Sequence, residues 1–150
     1  LPGYNLRSNE LNGAIGIEQI KKLDNIVAIR RKNACTFKRL FSKSDDFILQ
    51  KENSYSSWFG FSIILKNKLE NKRDEVIREL ELKGIETRPI VSGNFLKNPV
   101  IKYLDYSKYG TFKNSDNVDR NGFFVGNNHL DISYQLQHLR NILDYFKNKL

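Results

Sequence analysis

Leu11, Ala14, Ile15, Ile17 and Ile20 constrain the chain more than any other feature, because one face of a helix cannot hold them all. At 3.6 residues per turn they spread round most of the circumference. A helix that is apolar nearly all round is normally buried. The stretch begins near Ser8, which can cap a helix, and Glu10 falls in the first turn, where an acid is favoured. Gly13 and Gly16 each cost about 1 kcal/mol against alanine in a helix interior. A close-packed neighbour would explain both glycines; the plainer explanation is a slightly weak helix that is tolerated. In a small domain such an element fits poorly on the surface. It predicts a docking surface for something outside this chain.

The remaining pattern predicts an α/β domain of α+β-like character, with helices packed on a mostly antiparallel sheet. A second helix covers Leu23 to Phe41, with Arg30, Arg31, Lys32, Lys38 and Arg39 on its outside. Phe47–Leu49 reads as a short strand. Trp58 to Leu65 reads as a longer one, with Phe59, Phe61, Ile63 and Leu65 on one face. Asn71 is placed to cap a third helix, with Asp74 completing a capping box and Val76, Ile77 and Leu80 facing the core. Gly84 ends that helix. Ile85 to Val91 reads as extended, since Pro89 keeps Arg88 out of the helical region. A short helix is expected from Pro99 to Leu104. Phe123–Val125 reads as a strand entering a Gly126-Asn127-Asn128-His129 loop. Ile132, Leu136, Leu139, Ile142, Leu143, Phe146 and Leu150 mark a final amphipathic helix.

Composition narrows the class. A chain of 150 residues with 39% apolar and 28% charged residues suits one soluble domain with a real core. No stretch approaches the roughly 20 apolar residues of a membrane span, and no signal-peptide pattern is visible. Cys35, the single cysteine, permits neither an intrachain disulfide nor a four-cysteine zinc site. These features favour the cytoplasm and no membrane partner. The chain opens Leu1-Pro2-Gly3 and holds no methionine, which suggests a fragment, a processed product or a trimmed form of a longer protein. The net charge of +8 invites a nucleic-acid reading. Lysine is scattered along the whole chain, however, which is general bias rather than a focused patch, and no nucleic-acid partner is expected.

Few residues offer chemistry. There is no histidine pair at metal spacing, no glycine-rich phosphate loop and no nucleophile elbow, so no metal is expected. His138 reads as a partly exposed helix residue. His129 lies in a polar loop after a strand, where functional residues concentrate, although a lone loop histidine is more often structural. Arg88 sits in an otherwise largely apolar segment. Its donor fork suits a carboxylate or phosphate, and an ion pair with Glu86 or another acid is the equal alternative. In Ser92-Gly93-Asn94 the glycine permits close approach and the amide can donate and accept, but the triplet also reads as a turn. Gly3-Tyr4-Asn5-Leu6-Arg7 sets an aromatic, an amide and a guanidinium before the first helix, where an anion could be held. A lead-in loop is the commoner explanation.

Together these segments resemble the DegT/DnrJ/StrS family of sugar aminotransferases and dehydratases. The strongest match is the opening, GYNLRSNELNGAIGIEQIKKLDNIVAIRRKNA, with LKGIETRPIVSGNF and FFVGNNHL following in order. The resemblance covers essentially the whole chain, but only about the last third of a family member. It implies the fold of aspartate-aminotransferase-like (fold type I) enzymes, with residues 1–44 as linking and dimer-interface helices and 45–150 as the small C-terminal domain. It implies pyridoxal 5'-phosphate as cofactor, a nucleotide-sugar substrate, and a cytoplasmic homodimer with shared active sites. Asn5 would then contact the cofactor phosphate across the dimer, with Tyr4 and Arg7 lining the same seam. Arg88, Asn94 and His129 would face the substrate.

The catalytic lysine, or the histidine that replaces it in the dehydratases, would lie upstream of Leu1. The chain alone is therefore expected to be inactive. Arg88-Pro89-Ile90-Val91-Ser92-Gly93-Asn94 stands where aminotransferases of the family carry a different segment. Like the Gly-Asn-Asn-His turn, it resembles the nucleotide 4-keto-6-deoxyhexose 3-dehydratases. A sugar aminotransferase of the same family is the alternative, and a non-catalytic basic binding domain the alternative of another class.

Overall fold

The computed structural model describes residues 9–150. Among these residues five α-helices and three strands follow one another as α1 (Glu10–Ile20), α2 (Leu23–Phe41), β1 (Phe47–Leu49), β2 (Gly60–Leu65), α3 (Arg73–Leu82), α4 (Lys113–Asn121), β3 (Gly122–Gly126) and α5 (Ser133–Lys149), with short 3-10 turns between them, one of which, Pro99–Tyr103, stands at the expected short helix. The sheet is antiparallel throughout, in the order β1-β2-β3. Arg88 adds a single antiparallel bridge to Phe124 on the free edge of β3.

Alternation sorts the sheet into two faces. Phe61 pairs with Val125, Ile63 with Phe123 and Phe47 with Leu65, and all six are buried. Against this face pack Ala34, Phe37 and Phe41 of α2, Val76 and Leu80 of α3, and Leu136, Leu139 and Leu143 of α5. The Phe37 ring stacks on Phe41 at 4.7 Å and on Phe61 at 4.5 Å, so the aromatic stripe of α2 meets the sheet centre directly. The opposite face carries Ser62, Ile64 and Phe124, all half-exposed. The Val118 carbonyl of α4 presses on Gly122, which has the parity of Phe124, so α4 covers one end of that face. The rest is open.

α1 buries nothing. Leu11, Ile15, Ile17 and Ile20 are all more than half exposed, and no atom lies close to where a side chain on Gly13 or Gly16 would go. The close neighbour expected at those glycines is therefore not within the described residues. The cap is Asn9, whose side chain accepts from the Asn12 amide at 2.8 Å, rather than Ser8. Asn9 and Ser8 are both good caps, so the pattern could not separate them.

Several other expectations are corrected. The second long strand starts at Gly60, not Trp58. Trp58 takes a positive φ of 53° and buries its ring, which turns Phe59 out to 80% exposure instead of onto the core face. Asn71 does not cap α3. It sits in a left-handed turn at φ 63° and donates its backbone N–H to Asn121 Oδ1 at 2.7 Å, while α3 begins at Arg73. Ile85 to Val91 pairs with the sheet at Arg88 alone, because Pro89 has no N–H and Val91 turns left-handed at φ 48°. Arg30 and Arg31 are not free outward charges. Arg30 is tied to the carbonyls of Ser57 and Trp58, and Arg31 to Ser56, Glu52 and the Tyr55 ring. By contrast Gly84, at φ 79°, closes α3 as expected: Ile85 N–H donates to Leu80 and Gly84 N–H to Glu81, the two bonds of a Schellman end.

One polar clamp spans the fold. Asp46, nearly buried, accepts from Ser44 and from Lys147 at the end of α5. Burial pushes its carboxyl up, but the bonds from Lys147 and Ser44, with the Lys147 and Arg140 charges, outweigh that and hold it below its ordinary range. A carboxyl lowered on folding stabilises above its unfolded pKa, and the contribution is lost as pH falls through the folded one. Asp46→Asn should therefore cost about 1–3 kcal/mol at neutral pH, the range for stripping one partner from a buried polar pair. In denaturant titrations at stepped pH the gap to wild type should close below the ordinary carboxylate range. A gap that stays constant down to strongly acid pH would refute the charge-based account.

Candidate functional site

The open face of the sheet leads to a cleft of about 320 Å³ at the ends of β2 and β3. Arg30 comes to it from α2, Phe59 from the turn before β2, and Glu86 and Arg88 from the bridge strand. Phe124, Gly126 and Asn127 complete it. Phe59 and Phe124 form a tilted pair with ring centres 6.1 Å apart, and both also line a second depression beside Ser62, Ile90 and Val91. Exposed aromatic rings beside guanidinium groups suit a ligand with one flat or apolar part and one anionic part.

Arg88 reaches this cleft because its backbone is bolted to Phe124 by two bonds of 2.9 and 2.8 Å. Its side chain is exposed and donates to Glu86 Oε1 at 2.9 and 3.2 Å. The ion-pair alternative weighed from sequence is thus the arrangement adopted, and it leaves part of the fork free for a ligand. From the sequence Glu86 was named only as a possible ion-pair partner of Arg88, not as a residue of the site. Its signal was available, since Glu86 and Arg88 share one side of an extended segment.

His129 is exposed at the tip of the loop after β3. That loop is anchored by Asn127, whose Nδ2 donates to the carbonyls of Arg30 and Trp58 at 3.1 and 2.9 Å. The loop then passes to Asp131, which accepts from Lys32 and from Ser133 at the start of α5. Those bonds, that of Lys32 first, hold the Asp131 carboxyl well below the usual carboxylate range.

Asn94 stands elsewhere. It is buried, donates Nδ2 to Asp116 Oδ1 at 2.9 Å, and accepts from the Leu96 amide at 3.1 Å. Its backbone N–H reaches Asp119 at 3.3 Å, and Lys97 joins both acids at 3.0 and 2.8 Å. These bonds, from Asn94 first at Asp116 and from Lys97 first at Asp119, hold both carboxyls below their ordinary range. Gly93, at φ 57°, gives the close approach read from sequence, but what approaches is Asp119: a Cβ there would overlap its side chain. The amide of Asn94 is engaged in fixing the loop to α4. His138 is half-exposed in α5, its ring 6.4 Å from and parallel to Tyr134. Tyr4, Asn5 and Arg7 lie outside the described residues.

The chain belongs to the DegT/DnrJ/EryC1/StrS aminotransferase family, whose sequence profile matches residues 1–129. Within it, the chain is 50% identical over 144 residues to GDP-4-keto-6-deoxy-D-mannose 3-dehydratase of Yersinia pseudotuberculosis. It is 46% identical over the same length to the enzyme of that description from Escherichia coli O55:H7. Each alignment takes in 95% of this chain and 37% of the relative, so the chain spans well under half the length of these curated proteins. A solved structure of the E. coli GDP-4-keto-6-deoxy-D-mannose-3-dehydratase with bound hydrated PLP superposes with a TM-score of 0.89 at 46% identity, again over 95% of this chain and 37% of that one. Helicobacter pylori PseC, an aminotransferase of pseudoaminic acid biosynthesis, superposes at 0.80 with 17% identity over 100% of this chain and 40% of its own, a likeness of fold alone.

Proposed function

We propose that this chain is the C-terminal part of a pyridoxal-phosphate-dependent enzyme that removes the 3-hydroxyl from a GDP-linked 4-keto-6-deoxyhexose. The observation that carries the reading is the high identity to two GDP-4-keto-6-deoxy-D-mannose 3-dehydratases, 50% and 46% over nearly the whole chain. A dTDP-sugar 3-dehydratase matches at 29% over 83% of the chain, and two GDP-perosamine synthases at 24% and 31% over 59% of it. A solved 3-dehydratase variant carries bound GDP-perosamine, which supports a GDP-sugar as the ligand class.

The cleft's donor set fits one part of this task. The unfilled edge of the Arg88 guanidinium, with the Glu86 carboxylate beside it, suits a phosphate and sugar hydroxyls, while Arg30 and Asn127, held by backbone carbonyls, shape the wall. Neither a lysine nor a histidine lines the cleft, so its walls hold neither the catalytic lysine of the aminotransferases nor the histidine that replaces it in the dehydratases. The candidate cofactor contacts are Asn5, Tyr4 and Arg7, with Asn5 toward the phosphate. Bound pyridoxal phosphate would supply an electron sink for loss of the hydroxyl. The chain's own residues bind and orient: Arg88 holds an anionic group, Phe59 and Phe124 shield one side from water, and His129, on the loop after β3 but outside the cleft's lining, is a candidate substrate contact. Asn94 belongs to the same proposal as the residue that fixes the loop following Arg88. A homodimer with shared active sites completes it, supported by the bare apolar surface of α1, as does a cytoplasmic location. Among the described residues no helix is long and apolar enough to cross a membrane.

The test uses the full-length protein with glutamate and GDP-4-keto-6-deoxymannose. A 3-deoxy sugar, with glutamate converted to 2-oxoglutarate and ammonia released, is the expected result. An amino sugar would establish the aminotransferase alternative instead. Light scattering on the same preparation should give the mass of a dimer; a monomer that turns over at full rate would remove the shared-site part.

A further inference from the structure

Asn33 is fully buried, on the stripe of α2 that otherwise carries Ala34, Phe37 and Phe41. An amide in such a place costs free energy unless every polar atom is satisfied. Here it is. Nδ2 donates to Asn127 Oδ1 at 3.1 Å, to the Asn128 carbonyl at 3.1 Å and to the Leu130 carbonyl at 2.8 Å. Oδ1 accepts from the Ile132 amide at 3.3 Å. Two amide hydrogens thus serve three acceptors, and all four contacts go to one loop.

The network continues from that loop to the cleft. Asn127 passes it to the carbonyls of Arg30 and Trp58, and the Trp58 carbonyl also receives Arg30 Nη2 at 2.6 Å. The Asn127 amide further donates to the Phe59 carbonyl at 3.3 Å. Arg30, Phe59 and Asn127 all line the cleft, and Asn33 does not. A leucine would fill the same space in the core, but it could not register the loop against the turn before β2.

We infer that Asn33 is a positioning residue for nucleotide-sugar binding: it sets the Asn127–Leu130 loop, and through Asn127 the wall formed by Arg30 and Phe59. The inference rests on the functional reading above. In that frame Asn33 touches no substrate and moves no proton. It holds atoms that do, and small misplacements at such sites are expensive.

The experiment compares wild type with Asn33→Asp and Asn33→Ser in the full-length holoenzyme. The aspartate keeps the shape but turns a donor into a carboxylate facing three acceptors. The serine adds no charge, keeps one donor, and decides the matter if the aspartate variant does not fold. The expected result is a KM for GDP-4-keto-6-deoxymannose raised about tenfold or more, with bound cofactor absorbance retained and faster amide exchange confined to residues 127–132. A folded variant with a loosened loop and an unchanged KM would overturn the inference. So would loss of cofactor and stability with no selective change in KM, which marks a purely structural asparagine. A wild type that does not turn over the nucleotide sugar sinks the functional reading itself, an outcome distinct from an active wild type that ignores Asn33.

Discussion

The 150-residue chain by itself, given pyridoxal phosphate, glutamate and GDP-4-keto-6-deoxymannose, should show no turnover above the uncatalysed rate. Enzymes of this kind must lower a barrier by roughly 8 kcal/mol or more, and most of that comes from groups held around the reacting atoms. The cleft described here offers one wall: guanidinium, carboxamide and aromatic side chains, with no lysine among them. It is also open to water, which weakens every electrostatic contact within it. Exposed lysines will take up the cofactor loosely and at many places, so absorbance alone is not the criterion. One-to-one uptake at a single site, together with release of a 3-deoxy sugar, would overturn the view that this chain is a substrate-facing part rather than an enzyme.

How much of this was legible beforehand follows from the range of the forces involved. The bounds of α2 and β1 and the Gly84 end of α3 were readable because periodicity and a left-handed glycine act over a few residues. α4 was missed. Its nine residues, KNSDNVDRN, include one apolar side chain, Val118, and so carry no stripe. The helix is held by Asp116 and Asp119 meeting Asn94 and Lys97 more than 15 residues away, which no local pattern reports. For the same reason Asn94 looked like a free loop amide. Trp58 misled because its surroundings are non-local: it takes a positive φ, and Arg30 and Asn127, 28 and 69 residues away, converge on its carbonyl. Arg88 was legible because an arginine before a proline in an apolar segment is conspicuous on its own. Asn33 left a fainter mark, one polar residue on an apolar stripe, and its meaning lies in a loop 94 residues on.

Replacing Arg88 should weaken nucleotide-sugar binding more than any other change to the described cleft. Its backbone is fixed by the pair of bonds to Phe124, so the side chain can change without moving the sheet. The fork is only partly occupied by Glu86, and both groups are exposed, so that pair contributes little to stability and yields readily to a ligand. A charge-assisted bond to a phosphate oxygen contributes about 1.5–3 kcal/mol. At 1.4 kcal/mol per factor of ten, Arg88→Gln in the full-length enzyme should raise KM for the GDP-sugar by about 10- to 100-fold. The loss has a second source, because Glu86 is then left without its counter-ion and repels an anion. Glu86→Gln with Arg88→Gln should therefore recover part of the affinity, whereas Arg88→Lys keeps the charge but not the paired geometry and should fall between. Thermal stability should barely move in any of the three. An unchanged KM in Arg88→Gln would take this arginine out of the site and return it to a surface ion pair.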